Sequence, residues 1–387
     1  MFSSLSREKS VKKFDSNAWL VLLLFAMLVL VSPSSHACTT FALPTHNNLV
    51  VGKSYDWHAG QGVVFVNPAK VRKKATDVNG SFAEKAAWTS KYGSVSFTQF
   101  GIDLPLGGVN QKGLVVEIMW LNATKYPVEQ SLPVLNELQW IQYILDLAAT
   151  TDEAEELAKK VQVQKVFAPV HYMVCDLEKN CSSFEYLDKE LTITRQPVKT
   201  LTNTPYAISL AALKQFEAFG GQQADPVQPA SLLLKRFQRA SFGALLLQTA
   251  TDDLKVDPTS DNIDKSTFAI LDTVRSRTPG QDFVSQWQIV YQPAESTVRF
   301  RIPKKDAVFK IDTSSFEYDC TKSAPKVADL RGDVLSAVSP KQQFVDYDQT
   351  LHHDLIFGSG NASIGSPFAA DLHRGISAAL HDRTCVP

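Results

Sequence analysis

The residues of this chain best suited to do chemistry begin at Cys38, in Cys38-Thr-Thr-Phe41. The segment before it reads as removable, and a cysteine left at the head of a chain carries a thiol and an α-amine on one residue. The thiol is the nucleophile. The amine has a reference pKa of about 7.7–8, far closer to neutrality than a lysine. An amine so poised can take the thiol proton and later protonate a leaving amine. The device needs a free amine, so removal of the leader would also be its activation. Lys53 and Asp56 follow in Lys53-Ser-Tyr-Asp56. Asp56 is suited to orient the α-ammonium, and Lys53 to place positive charge beside a thiolate. On spacing alone, a salt-bridged or solvated strand face accounts equally well for this pair.

The leader has the layout of a secretory signal peptide. Arg7, Lys9, Lys12 and Lys13 form a basic start, 18–31 is an unbroken apolar run, and 32–37 is a tail with small Ser35 and Ala37 before the cut. The apolar run has 14 residues, short of the roughly 17–25 of a membrane-spanning helix. The expected layout is a signal peptide over 1–37 and one domain over 38–387, exported to the periplasm or medium without a membrane anchor after cleavage. A retained anchor and lipidation on Cys38 are the rivals. Bacterial lipoprotein sites usually carry Leu three residues before the cysteine, where this chain has Ser35.

The whole chain has 39 basic and 40 acidic residues; without 1–37 it keeps 35 and 38. That balance carries no signature of nucleic acid or a membrane surface. All five cysteines lie after the leader. In an oxidising compartment they tend to pair, and one must be left over. Cys175 and Cys181 flank a polar turn and are expected to clip a hairpin. Cys320 and Cys385 would then tie the C-terminal tail back to the domain, leaving Cys38.

The elements that must position these groups begin with a hairpin: Cys38-Thr-Thr-Phe-Ala-Leu, a Pro-Thr-His-Asn-Asn turn, then 49–57. Further strands are expected at 63–66, 94–100 and 113–121, the last entered through a turn-rich 107–113. Helical spacing of apolar residues runs over 132–149, and a second helix opens at Thr151 with a capping Thr and an acidic first turn. Strands return at 166–175, 183–187 and 191–195, a helix follows around 229–242, and strands lie at 285–291 and 297–302. The pattern suggests layers of sheet and helix in one domain. The stretch 307–387 is poorly assigned; a lid, an oligomer contact or a strand pair closed by Cys320 and Cys385 are all open.

Cys38-Thr-Thr-Phe, Lys53-Ser-Tyr-Asp56, Gly108-Val-Asn-Gln-Lys-Gly-Leu114, His171-Tyr-Met-Val-Cys-Asp176, Leu201-Thr-Asn-Thr-Pro205 and Arg236-Phe-Gln-Arg-Ala240 stand in the order and spacing of one group. Over 38 to about 300 the chain resembles the choloylglycine hydrolases, the conjugated bile salt hydrolases and penicillin V acylases. The resemblance implies an α+β fold, a four-layer αββα sandwich of the N-terminal-nucleophile type, often a homotetramer, that hydrolyses a linear amide through a thioester on Cys38. It implies that Asp56 holds the α-amine, that the amide of Asn203 helps stabilise the oxyanion, and that Arg236 lies near the nucleophile. Lys53 stands where the family usually has arginine, which keeps the charge but loses the planar fork.

Trp120 falls where bile salt hydrolases have asparagine and many penicillin V acylases tyrosine. An indole cannot replace an amide there, so the second oxyanion donor would be the Trp120 backbone N–H. Trp57 and Trp120 would flank the entrance and suit an aromatic or fatty acyl group, although both also read as ordinary core tryptophans. The pair looks like the Gram-negative penicillin V acylase branch, some members of which also cleave acyl-homoserine lactones. A small-molecule N-acyl amide is the expected partner; bile salt conjugates come second and fatty-acid ethanolamides third.

His171 is the candidate for a papain-like dyad with Cys38, although the resemblance makes it structural. Neither His352-His353 nor His373 has metal-ligand spacing with a third partner, so no metal and no cofactor are expected. Asn122-Ala-Thr124 matches a glycosylation acceptor but ends a strand beside the site. A catalytically dead relative that binds an acylated small molecule is the alternative to an enzyme, with Lys53 its main support.

Overall fold

A computed structural model of the chain describes residues 38–330 apart from 46–47, 58–59, 61, 78–79, 130, 229–234, 255–259, 277–283 and 304–306, together with 344–347 and 383–387. The leader, His352-His353 and His373 lie outside the described residues.

The chain opens with the expected hairpin. β1 (Thr39–Pro44) pairs antiparallel with β2 (Leu49–Trp57), Thr39 opposite Ser54 and Thr40 opposite Lys53. Side chains alternate across a strand, and here both faces are covered. Phe41, Leu43 and Val50 pack with Ala240, Ile263, Phe268 and Leu271 on the helical side. Ala42, Val51 and Tyr55 join the larger core on the other side.

Further strands in chain order are β3 (Val63–Asn67), β4 (Val71–Lys74), β5 (Ala87–Thr89), β6 (Ser94–Thr98), β7 (Gly107–Asn110), β8 (Val115–Trp120), β9 (Val134–Asn136) and β10 (Gln162–Gln164). After them come β11 (Val170–Cys175), β12 (Cys181–Leu187), β13 (Glu190–Arg195), β14 (Thr200–Leu201), β15 (Val284–Gln292), β16 (Thr297–Arg301), β17 (Val308–Asp312), β18 (Lys326–Asp329), β19 (Val345–Asp346) and β20 (Thr384–Cys385). One sheet has the order β14-β1-β2-β15-β16-β17, and a second the order β13-β12-β11-β8-β7-β6-β3-β18-β19. β1 touches β8 across the interface between them.

Helices cover both outer faces. α1 (Glu137–Leu147) lies on β7 and β8, and α2 (Thr151–Ala158) on β11. α3 (Tyr206–Leu213) contacts α4 (Arg236–Leu254), α4 covers β1 and β14, and α5 (Ser260–Val274) covers β2 and β15. This is the expected αββα sandwich, since each sheet buries one face on the other sheet and one on helices. Among the described residues no helix is long and apolar enough to cross a membrane.

Several local expectations shift. The apolar run at 132–149 opens as strand β9, because Asn136 turns its side chain back to accept from the Leu138 and Gln139 N–H groups and starts α1 there. The second helix is capped by Thr150, which accepts from the Glu153 N–H, rather than by Thr151. Gly107–Asn110 is strand, not turn, paired with both β6 and β8. Of the helix expected at 229–242, residues 229–234 lie outside the described residues, and α4 runs on to Leu254. α3 was not expected; its Tyr-Ala-Ile-Ser-Leu-Ala-Ala-Leu sequence has no polar face to reveal a period.

The C-terminal stretch is part of the sandwich: β17 extends the first sheet, β18 and β19 the second, and β20 pairs with β4. Cys175–Cys181 clips the β11–β12 hairpin across directly paired residues, and Cys320–Cys385 fastens β20. Beside β20, Arg383 reaches Asp103 at 3.3 Å, and Lys73 bridges Asp103 at 2.9 Å and Asp146 at 2.8 Å, all buried. The Cys320–Cys385 bridge closes a loop with a sequence separation of 65. Replacing both cysteines with serine should lower the unfolding free energy by about 2–4 kcal/mol, read by denaturant melts; an unchanged midpoint would show that the tail adds no stability.

Candidate active site

Cys38 precedes β1 and is buried, with 5% of its surface exposed and its thiol unpaired. The Asp56 backbone N–H donates to its Sγ at 3.5 Å, and the thiol faces the Asp56 carbonyl oxygen at 3.8 Å. Continuing the β1–β2 register one residue places Cys38 opposite Tyr55, and continuing the β1–β14 register two residues places it opposite Asn203. Burial pushes the Cys38 thiol up; Lys53 opposes that rise, while the charges of Asp56 and Glu117 add to it.

The alternation of β2 sends its charges to opposite faces. Ser54 and Asp56 point to the helical side. There Asp56 Oδ1 accepts from Ser54 at 3.0 Å and from Ser285, and Oδ2 forms an ion pair at 3.3 Å with Arg236, the first residue of α4. Among the described residues Oδ2 has no hydrogen-bond donor. A bulge at Gln286 makes this cluster possible: Ser285 is opposite Asp56, and Trp287 is opposite Tyr55. Without the extra residue Ser285 and Trp287 would share a face. Burial raises the Asp56 carboxyl to about 6, although Arg236, Ser285, Ser54 and Lys53 all favour its charged form.

Lys53 points the other way, between the sheets, and is 1% exposed. Its ammonium donates to the Ile118 carbonyl, lies 3.4 Å from Met119 Sδ and pairs with Glu117 at 3.2 Å. The expected positive charge beside the thiol is therefore present and partly offset by Glu117.

Asn203 Nδ2 donates to the Trp120 carbonyl at 2.8 Å, tying the two sheets together beside Cys38. Leu121 N–H donates to Pro169 O, so Trp120 and Val170 form a non-hydrogen-bonded pair. The Trp120 N–H and carbonyl therefore both point away from β11, towards Asn203. The Trp57 and Trp120 rings lie with centroids 6.0 Å apart, both half-buried. Tyr55 and Trp287 continue this aromatic wall inward, with Tyr55 4.8 Å from Trp287. The Trp120 indole donates to the exposed Asn122 at 2.6 Å.

Cys38, Lys53, Asp56, Asn203, Arg236, Trp57 and Trp120 thus converge. His171 does not join them as a base: Nδ1 is held by Glu185 at 2.9 Å and Nε2 by the Thr202 carbonyl at 2.6 Å, which removes the papain-like dyad. Its place beside Thr202 instead steadies the segment carrying Asn203. Among the described residues no group of three or more His, Cys, Asp or Glu is placed to hold a metal ion. Sequence reading missed Ser54, Ser285, Glu117 and Tyr291. Glu117 had a signal, as a lone acid inside the apolar strand Val-Val-Glu-Ile-Met-Trp; Ser285 had none, because a bulge places it.

The αββα sandwich has the fold of the N-terminal-nucleophile hydrolases, and a buried cysteine stands at the head of its first strand with Asp56, Arg236 and Asn203 around it. The family model for linear amide C–N hydrolases, choloylglycine hydrolase family, matches residues 38–247, and the chain belongs to that family. A penicillin V acylase of Pectobacterium atrosepticum is 30% identical over 237 residues, 56% of this chain and 61% of that relative. The solved penicillin V acylase of Agrobacterium tumefaciens superposes with a TM-score of 0.68 at 25% identity, over 80% of this chain and 98% of that one. A conjugated bile acid hydrolase variant from Clostridium perfringens shares the fold, with a TM-score of 0.60 at 17% identity over 78% and 99% of the two chains.

The raised Asp56 carboxyl has a signed consequence for stability. Its folded pKa of about 6 lies above its ordinary 3.8, so the folded state holds that proton more tightly than the unfolded one. Stability from this group is lost as pH rises from about 4 to about 6. In the chain that keeps residues 1–37, and so has no α-ammonium at Cys38, the stability of Asp56→Asn relative to the parent should therefore rise by about 2–3 kcal/mol between pH 4 and pH 7, measured by urea melts at both pH values. A pH-independent difference would show that Asp56 ionises normally.

Proposed function

We propose that the chain is an exported hydrolase of linear N-acyl amides, with Cys38 as the first residue of the mature protein and its nucleophile. The observation that carries this reading is the Asp56 carboxylate, whose Oδ2 lacks a hydrogen-bond donor among the described residues while its own backbone brackets the Cys38 thiol. An α-ammonium on Cys38 supplies the missing donor. The amine belongs to the backbone at the head of β1, so it can meet a carboxylate on the helical side while the thiol faces the other sheet. The family match beginning at residue 38 supports the same cut.

In this mechanism the α-amine takes the thiol proton and the sulfur attacks the acyl carbon, moving the carbonyl π pair onto oxygen. The second Asn203 N–H and the Trp120 backbone N–H are the donors for that oxygen. Collapse re-forms the carbonyl and breaks the C–N bond, and the α-ammonium protonates the departing amine. Water then gives its proton to the α-amine and attacks the thioester; the acid leaves, and the proton returns to sulfur. Arg236 keeps Asp56 charged so that the ammonium stays oriented.

The Trp57–Trp120 wall suits an aromatic or fatty acyl group, which supports a penicillin V acylase-like preference over a polar acyl donor. The test is hydrolysis of penicillin V and of long-chain N-acyl amides by the exported protein, with its N-terminus read by mass spectrometry. A mature chain starting at Cys38 should hydrolyse at least one of them. Cys38→Ala should abolish turnover, and Asn203→Ala should lower kcat by about 10²–10³. Turnover by a chain that retains its leader, or by Cys38→Ala, would overturn the reading.

A further inference from the structure

Lys53 and Glu117 face each other from strands of the two sheets, each almost wholly buried, and they pair at 3.2 Å. Two such groups in an apolar core carry a desolvation penalty that packing alone does not repay. Three features hold the pair in place. The Tyr291 hydroxyl of β15 donates to Glu117 Oε1 at 2.6 Å. The Lys53 ammonium also donates to the Ile118 carbonyl. Gly107 of β7 is opposite Glu117, and a Cβ on it would collide with the Glu117 carboxylate, so the glycine makes the room that the carboxylate fills.

Lys53 shares a face of the sheet with Tyr55, which is opposite Cys38, so its ammonium has two possible anionic neighbours: the Glu117 carboxylate and a Cys38 thiolate. We infer that Glu117 is a positioning residue of the catalytic centre: braced by Tyr291 and Gly107, it holds the Lys53 ammonium and so offsets part of the stabilisation that this charge gives the Cys38 thiolate. The inference rests on the reading of Cys38 as nucleophile and adds what sets its acidity. A thiolate paired directly with Lys53 would form at lower pH but attack more weakly, because nucleophilicity falls with thiol pKa. Among the described residues the other charged or titratable groups facing the thiol are Asp56 and Tyr55 of β2, with Arg236 of α4 acting through Asp56. At Cys38 the Lys53 charge favours the thiolate, and Glu117, more weakly, opposes it.

The test is the pH dependence of Cys38 alkylation by iodoacetamide in the mature chain, with the pH profile of kcat/KM beside it. Glu117→Gln frees Lys53 to pair with the thiolate, so the alkylation midpoint should fall by roughly one pH unit, with the acid limb of kcat/KM following it. Glu117→Asp keeps the charge but withdraws it by one methylene, so its midpoint should fall by less. That graded series also serves if Glu117→Gln does not fold, because Glu117→Asp strands no buried cation. The double variant Lys53→Met/Glu117→Gln removes both charges, the stronger of which favours the thiolate, so its midpoint should stay at or above that of the parent. An unmoved midpoint in the folded Glu117 variants, or the same fall in the double variant, would overturn the inference. Parent protein that alkylates at Cys38 but hydrolyses no amide would sink the functional reading and leave this one standing.

Discussion

The structure turns on the two-residue alternation of β2 between a layer of helices and a second sheet. Because both faces of this strand are buried, neither charge on it can reach bulk water, and each must find its own partners. Asp56 meets Arg236, Ser54 and Ser285 on the helical side. Lys53 meets Glu117 and the Ile118 carbonyl between the sheets. Cys38 lies at the boundary, hydrogen-bonded to the backbone of Asp56, so both charge systems act on a single sulfur.

Long-range pairing holds this arrangement to its register. β2 lies between β1 and β15, and the bulge at Gln286 resets the alternation of β15 just where Ser285 must face Asp56 and Trp287 must face Tyr55. On the other flank, β14 brings Asn203 up to Cys38, and the Asn203–Trp120 hydrogen bond joins the sheets at the same point. His171, fixed by Glu185 and by the Thr202 carbonyl, supports that junction without touching the chemistry. A one-residue slip in any of these pairings would turn the affected side chains to the wrong face. The cost would fall on the site before it fell on the bulk of the core.

The C-terminal stretch follows the same logic at the far edge. Arg383, Lys73, Asp103 and Asp146 bury four charges together, and the Cys320–Cys385 bridge keeps Arg383 from drifting off as an exposed tail would. For Asp103, burial pulls the carboxyl upward, but Arg383 and Lys73 outweigh it and hold it below its ordinary range. The membership of this chain in the choloylglycine hydrolase family rests on residues 38–247. Yet the residues beyond that span supply Ser285, Tyr291 and the strands that close both sheets.

Much of this was legible in the residues themselves. The β1–β2 hairpin, the placing of Cys38 and Asp56 on it, and both disulfide pairings follow from local patterns, because strand alternation, turn chemistry and cysteine arithmetic are short-range properties of the chain. The approach of Asn203, Arg236 and Trp120, by contrast, was implied only by the resemblance to the family. Tertiary structure alone decided what faces each charge. Glu117 is separated from Lys53 by 64 positions in sequence, and Ser285 from Asp56 by 229. No periodicity relates such residues; only the stacking of two sheets and a single-residue bulge bring them into contact. The residue types around Cys38 are written in the sequence, whereas the acidity of its thiol depends on burial, which exists only once the sheets have closed.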